Sequence, residues 1–430
     1  MSWLFLVVTL VGAALTYNAF RPQYAPSRRA VLSFFAGWLT TELALHHIAW
    51  QAVATLGFTW AGALQHWPGT LGLLITVLSW IGLAYAYWRG REAGDVVERA
   101  LRQELGPGFA TKIQPDLRER FSPHVQWRRV LIPFPIRHPE VERLRDITYL
   151  RVAGLNLKLD IYRHHSRPDN CPTLLQIHGG GWVLGSKNEQ GLPLMYHLAA
   201  RGWLCVSVDY RLSPHATFPE PVVDLKHTIE WIRQHGRAYG ANPDFLIVTG
   251  GSAGGHLASL VALTANDPEY QPGFEQVDTS VSGCVSFYGV YDFADRKGVW
   301  HHEGLRKLLE KQIMKASLDE APERYVKASP ISRVTAEAPP FLVVHGDRDT
   351  MVPVEEARHF CQVFRQTARA PIVYAEIPGA QHAFELFPSL RSCHVLNGVE
   401  RFLAYLYSQY LTGRRQEDEL ADRTKNSAVS

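Results

Sequence analysis

Apolar residues are distributed unevenly along this chain, and the first ninety positions hold most of the long uncharged runs. Trp3 to Phe20 carries no charge and only four polar side chains, Thr9, Thr16, Tyr17 and Asn18. Leu71 to Trp88 is a second uncharged run. As a helix it would rise about 27 Å, close to the thickness of a bilayer core. Between them, Ala30 to Leu64 is apolar but interrupted by Glu42, His46, His47 and Gln51. That stretch is too long for one upright crossing. It reads as one tilted or broken helix, or as a span plus an interfacial piece. Buried helices of a soluble domain would carry more charge over this length, so residues 1–90 are expected to form a membrane module of about three transmembrane helices. Only Met1 and Ser2 precede the first run, which leaves no basic segment of the kind a cleaved signal peptide has.

Basic residues set the expected orientation. Arg21, Arg28 and Arg29 follow the first run, Arg89 and Arg91 follow the last, and His66 to Thr70 has no Lys or Arg. With three crossings both basic flanks fall on one side. The chain is then an integral membrane protein whose large C-terminal part faces the cytoplasm. Glu42 and His46, at i and i+4, are expected to share a helix face, as a polar contact that holds helices together or as a functional pair.

Beyond Arg91 the pattern changes. Val96, Val97, Ala100, Leu101 and Leu105 recur at helical spacing, and Gly106-Pro107-Gly108 ends that segment. Residues 91–145 are therefore expected to be a linker with one amphipathic helix. From Asp146 the period becomes two, over Ile147–Val152 and Leu155–Tyr162, which predicts a hairpin. Strand-like runs at Thr173–Ile177, Leu204–Val208, Phe245–Val248, Val281–Phe287, Phe341–Val344 and Ile372–Ile377 then alternate with helical ones at Glu189–Arg201, Pro221–Tyr239 and Val354–Thr367. Such alternation predicts an α/β fold over residues 146–412, a mainly parallel sheet with helices on both faces, preceded by the transmembrane helices. A last helix is expected near Val395–Leu411, and the polar tail 413–430 is expected to be irregular.

Composition adds exclusions. A net charge of +3 over 430 residues gives no reason to invoke nucleic acid. Cys171, Cys205, Cys284, Cys361 and Cys393 are scattered without a C-x-x-C pair, which argues against a disulfide framework or a metal site. No cofactor-binding loop is evident.

The candidate chemistry centres on Thr249-Gly250-Gly251-Ser252-Ala253-Gly254-Gly255, between a predicted strand and the helical run Gly255–Leu263. Gly250-x-Ser252-x-Gly254 fits a nucleophile elbow, a sharp turn that exposes a serine. Alone it is a weak signal. A serine nucleophile needs a base, and the base needs an orienting acid. His345-Gly346-Asp347-Arg348-Asp349 follows one later strand and Gly379-Ala380-Gln381-His382 follows the next. Ser252, Asp349 and His382 thus occur in the order of an α/β-hydrolase triad at predicted strand ends, with Asp347 as the alternative acid. His178-Gly179-Gly180-Gly181 follows the strand Thr173–Ile177 and would supply the oxyanion donors Gly179 and Gly180, with Ala253 as the third.

His178-Gly179-Gly180-Gly181, Asp209-Tyr210-Arg211-Leu212 and the elbow together resemble the hormone-sensitive-lipase type of α/β-hydrolase esterase, over roughly Asp146 to Leu411. The elbow has Gly251 where that family usually has Asp. Gly346-x-x-Asp349-x-x-Val352-Pro353 is similar to the related carboxylesterases and serine peptidases, and by that match Asp349 is the acid. The resemblance implies hydrolysis of a carboxylic ester, small or lipid-like, through an acyl-enzyme. Amide or peptide hydrolysis and acyl transfer are alternatives on the same triad, and a non-catalytic ligand receptor would lack a triad member. Asp209 and Arg211 are expected to pair structurally, Asp292 to close a turn, and 295–326 to cap the acyl pocket or pack on the domain edge.

Overall fold

The computed structural model describes residues 1–121 and 125–427. The first four helices are α1 (Ser2–Phe20), α2 (Ser27–Glu42), α3 (Ala44–Trp60) and α4 (Trp67–Arg89). Of these, α1 and α4 are long and apolar enough to cross a membrane. They run parallel: Trp3 meets Trp67 at their starts, with ring centroids 5.3 Å apart, and Thr16 Oγ1 lies 2.6 Å from Ser79 Oγ nearer their ends. The helix α3 runs the other way, with Phe58 beside Phe5 and Gln51 against Gly12.

The long apolar stretch 30–64 is therefore broken, and the break falls at Leu43. It separates Glu42 from His46, so the two do not share a helix face. His46 Nε2 bonds the carbonyl of Leu131 at 2.9 Å, while Glu42 turns into the C-terminal part of the chain.

Next come α5 (Glu92–Leu105), α6 (Pro115–Glu119) and α7 (Trp127–Leu131). The segment expected as a linker is packed, not loose. The buried stripe Ala93, Val97, Ala100, Leu101 and Leu105 joins one core with strand and C-terminal helix residues, among them Val373, Ala375, Val399 and Phe402.

The sheet that follows has eight strands: β1 (Val141–Val152), β2 (Leu155–His164), β3 (Cys171–Ile177), β4 (Leu204–Val208), β5 (Ala241–Gly251), β6 (Gly283–Phe287), β7 (Phe341–Gly346) and β8 (Ile372–Ile377). Their order is β1-β2-β4-β3-β5-β6-β7-β8. The hairpin β1–β2 and the β2–β4 pair are antiparallel, and every pair from β4 onward is parallel. Between and after the strands come α8 (Leu192–Ala199), α9 (Glu220–His235), α10 (Ala253–Leu263), α11 (Gly304–Leu308), α12 (Pro322–Lys327), α13 (Val354–Thr367) and α14 (Leu390–Ser427).

Successive strand side chains point to opposite faces. In β7, Phe341 and Val343 enter the core shared with α9, α10 and α13, whereas Leu342 and Val344 enter the core shared with α5, α8 and α14. Both faces are covered, which is why these strands read as continuous apolar runs. The helix α14 extends well beyond its expected end. Arg414 to Leu420, with charged and other strong helix formers, continues it through the tail expected to be irregular, as far as Ser427. Residues 428–430 lie outside the described part.

Candidate active site

Strand β5 ends at Gly251 and α10 begins at Ala253, so Ser252 alone makes the turn. Its backbone has φ 58° and ψ −123°. For a residue with a Cβ this is a strained conformation, worth on the order of 1–3 kcal/mol, and it persists only where the surroundings enforce it. The enforcement is visible. The Ser252 N–H donates to Phe287 O at 3.0 Å, and the His256 N–H donates to Ser252 O at 2.9 Å. A side chain at Gly254 would overlap the carbonyl oxygen of Ile177, so only glycine lets α10 pack against the end of β3. Ser252 is partly buried, and its hydroxyl makes no hydrogen bond among the described residues.

Asp349 and His382 come from the turns after β7 and β8. Asp349 Oδ2 lies 2.6 Å from His382 Nδ1, with both residues buried. Asp349 Oδ1 accepts the N–H groups of Met351 and Val352, each at 2.8 Å. A second imidazole, His345, approaches Asp349 Oδ2 at 3.3 Å. Burial pushes the Asp349 carboxyl up, but the two imidazoles and their hydrogen bonds outweigh it and hold it well below the usual carboxylate range. Asp347 is turned elsewhere: its Oδ1 accepts the N–H of Gly379 at 2.7 Å.

Two side chains not singled out from the sequence complete this arrangement. Gln381 Oε1 accepts from Thr350 N at 2.8 Å and from His382 N at 2.9 Å, tying the turn after β7 to the turn after β8. Tyr288 lies between His382 and the elbow. Its ring centroid is 4.5 Å from that of His382, and a Cβ on Gly251 would lie 2.7 Å from its hydroxyl. Gly251, where the resembled family usually has Asp, therefore makes room for Tyr288. The Tyr288 hydroxyl donates to Glu385, with Oε1 at 2.5 Å. Burial raises the Glu385 carboxyl to about 7 against the opposing effect of that hydrogen bond. No local sequence pattern marks these partners; the signal available was position alone, one residue before His382 and just after β6.

The loop after β3 differs in detail from expectation. The Gly179 N–H is engaged by Gln190 Oε1 at 2.6 Å and is not available to an oxyanion. Gly180 and Gly181 have φ of 117° and 61°, and their N–H groups donate no hydrogen bond among the described residues. Ala253, as the first residue of α10, has an N–H without an intrahelical partner. The loop abuts the elbow, since a Cβ on Gly179 would lie 3.2 Å from Ser252 Cβ. His178 holds it from behind, bonding Gly179 O through Nδ1 at 2.8 Å and stacking on Tyr210.

The remaining expectations sort cleanly. Arg211 pairs with Asp224 and Glu220, not with Asp209, whose carboxylate accepts from Lys187 N at 2.8 Å. The side chain of Asp292 accepts from Ala294 N and Arg296 N and so closes its turn. In 295–326, Leu309, Ile313 and Met314 are buried in the core, while Leu308 reaches toward Gly181. No cluster of His, Cys, Asp and Glu suited to a metal occurs among the described residues.

The chain is similar in sequence and in fold to known esterases. Residues 159–364 match the BD-FAE family model. The chain is 40% identical over 423 residues to the probable carboxylic ester hydrolase LipM of Mycobacterium tuberculosis, covering 95% of this chain and 94% of that one. It is 36% identical to the esterase LipQ of the same organism, covering 89% and 87% respectively. Among solved structures, a butyrate-bound thermophilic esterase from Thermogutta terrifontis superposes with a TM-score of 0.51 at 25% identity, over 64% of this chain and 94% of that one.

Proposed function

Because this chain belongs to the α/β-hydrolase carboxylic ester hydrolases, we propose that it is a membrane-anchored serine esterase acting through Ser252, His382 and Asp349. The observation that carries the reading is the 2.6 Å contact between Asp349 and His382, together with a serine held in the strained elbow conformation. His382 Nε2 takes the proton of Ser252 Oγ as that oxygen bonds to the ester carbonyl carbon. Asp349, held anionic by its neighbours, fixes the tautomer of His382 and stabilises its cation. Charge developing on the carbonyl oxygen is met by the N–H groups of Gly180, Gly181 and Ala253, where each well-aimed donor contributes about 3–4 kcal/mol. The proton then passes to the departing alcohol, and water, activated by His382, cleaves the acyl-enzyme to acid and free serine.

The anchored part of the reading rests on α1, α3 and α4 as crossings, with α2 lying along the hydrolase at the membrane surface. Arg21, Arg28, Arg29, Arg89 and Arg91 all sit at the hydrolase end of these helices, which favours a cytoplasmic active site. A site beside the bilayer suits esters with an apolar chain. Ser252→Ala is expected to lower p-nitrophenyl ester hydrolysis by several orders of magnitude and abolish fluorophosphonate labelling, with the fold intact. Residual activity near wild type would sink the triad assignment. An acyl-chain series on the wild type decides between lipid-like and small esters.

A further inference from the structure

The helix α2 lies outside the hydrolase fold, yet its inner face touches both catalytic turns. The carbonyl of Ala30 accepts the Thr350 hydroxyl at 3.0 Å, next to Asp349. Phe34 sets its ring edge-on to His382, with centroids 5.8 Å apart. Gly37 comes close enough that a Cβ there would lie 3.6 Å from Gln381 Nε2, the side chain that joins the two turns. Trp38 packs on Phe387 at 5.2 Å. At its C-terminal end Glu42 is fully enclosed. It accepts the Ser389 hydroxyl at 2.6 Å and pairs with Arg391, both side chains being at most 3% exposed.

Arg391 lies across the base turn. Its guanidinium meets Glu42 on one side, and on the other stands 3.4 Å from where a Cβ of Gly379 would be, three residues before His382. Ser389 fixes the far end of the same turn. The path from β8 to α14, which carries His382 and Glu385, is thus gripped at both ends by a pair whose anion comes from another element. A buried ion pair is weak evidence for stability, because desolvation offsets most of its attraction, but it fixes geometry well.

We propose that Glu42 is a positioning residue for the esterase reaction: acting through Arg391 and Ser389, it holds the turn carrying His382 in register with Ser252. The inference rests on the triad reading above. Its consequence is that the apolar N-terminal helices are a working part of the active site and not only an anchor. The outer face of α2 leaves Val31, Leu32, Phe35 and Leu39 exposed, so the helix that sets the base also presents an apolar surface to its surroundings.

The test uses the full-length protein in detergent micelles and two variants. Glu42→Gln keeps the size of the side chain and removes the charge. The double variant Glu42→Met/Arg391→Met replaces the pair by apolar residues of similar volume, a change that buried pairs commonly tolerate without loss of stability. For each, kcat and KM on a p-nitrophenyl ester, the pH profile of kcat/KM, the rate of fluorophosphonate labelling and the thermal unfolding midpoint are measured. The expected result is a folded double variant whose kcat and labelling rate fall about tenfold or more, since small misplacements of a catalytic group are costly. KM should stay within about twofold and the pH profile should move, because substrate contacts are untouched while the base is not. A folded double variant with wild-type kcat, labelling rate and pH profile overturns the proposal. Wild-type protein that neither turns over ester nor takes the label fails the triad reading instead, so the two failures are distinguishable.

Discussion

The candidate catalytic residues were legible in proportion to how local their signals are. Ser252, Asp349 and His382 occur in order just beyond apolar runs, the placement that their proposed roles demand, although chain order does not separate Asp349 from Asp347. The oxyanion loop was legible as a motif but not in detail. Gly179 is claimed by Gln190 from eleven positions on, a contact no spacing rule anticipates. Asp209 likewise finds Lys187 and leaves Arg211 to Asp224, because which carboxylate meets a cation depends on how β4 and α9 are set against each other. Tyr288 and Glu385 are further from legibility, since their partnership exists only in space. That pair also yields a prediction. Burial raises the Glu385 carboxyl from an ordinary 4.5 to about 7. Its neutral form is therefore favoured on folding, and this contribution is fully present below pH 4.5 and lost as the pH rises through 7, a swing of roughly 3 kcal/mol. Glu42 is the other anion acting on it, and Tyr288 is its hydrogen-bond partner. Glu385→Gln should flatten the pH dependence of stability, so that the variant gains on the wild type between pH 5 and pH 8 in urea unfolding. Parallel stability curves for the two proteins would contradict it.

Elements were legible where periodicity and length agree. The strands β4 and β8 and the helix α13 fall at their expected bounds, and the alternation that predicts a parallel sheet is present from β3 onward. One element departs from expectation, and two others are sharpened by the structure. The break at Leu43 carries no Pro or Gly and settles the expected alternatives for 30–64 in favour of a broken helix. The helix α14 runs on because its polar tail is made of strong helix formers. The helix α5 has the extent expected of the amphipathic segment, and its inner stripe closes one side of the sheet. The stripe at 93, 97, 100, 101 and 105 has the spacing of a single buried face, and Leu101 is fully buried within it. Leu101→Ala should therefore behave as a core substitution and cost about 2–5 kcal/mol. A loss below about 0.5 kcal/mol in chemical unfolding, the size typical of an exposed site, would return α5 to the role of a linker.

At the scale of the whole molecule, the arrangement of helices and charges favours one placement in a bilayer. Because α1 and α4 run parallel and α3 runs the other way, the starts of α1 and α4 and the end of α3 lie together. Trp3, Trp60 and Trp67 cluster at that far end and are 62%, 92% and 64% exposed, as an interfacial aromatic belt would be. Tyr85 and Trp88 stand at the near end, also exposed. Basic residues are absent from the far loop and gathered at the near one, where Arg348 reaches up to the carbonyl of Ala19 and α2 lies across both catalytic turns. The charge bias favours a hydrolase on the cytoplasmic side, and the aromatic residues at the two ends mark where the two interfaces would lie. Protease added to intact cells should leave the hydrolase whole, and the same protease should digest it once the membrane is opened. Digestion in intact cells would reverse the orientation while leaving the proposed ester chemistry untouched, because Ser252, Asp349 and His382 all sit on turns of the sheet.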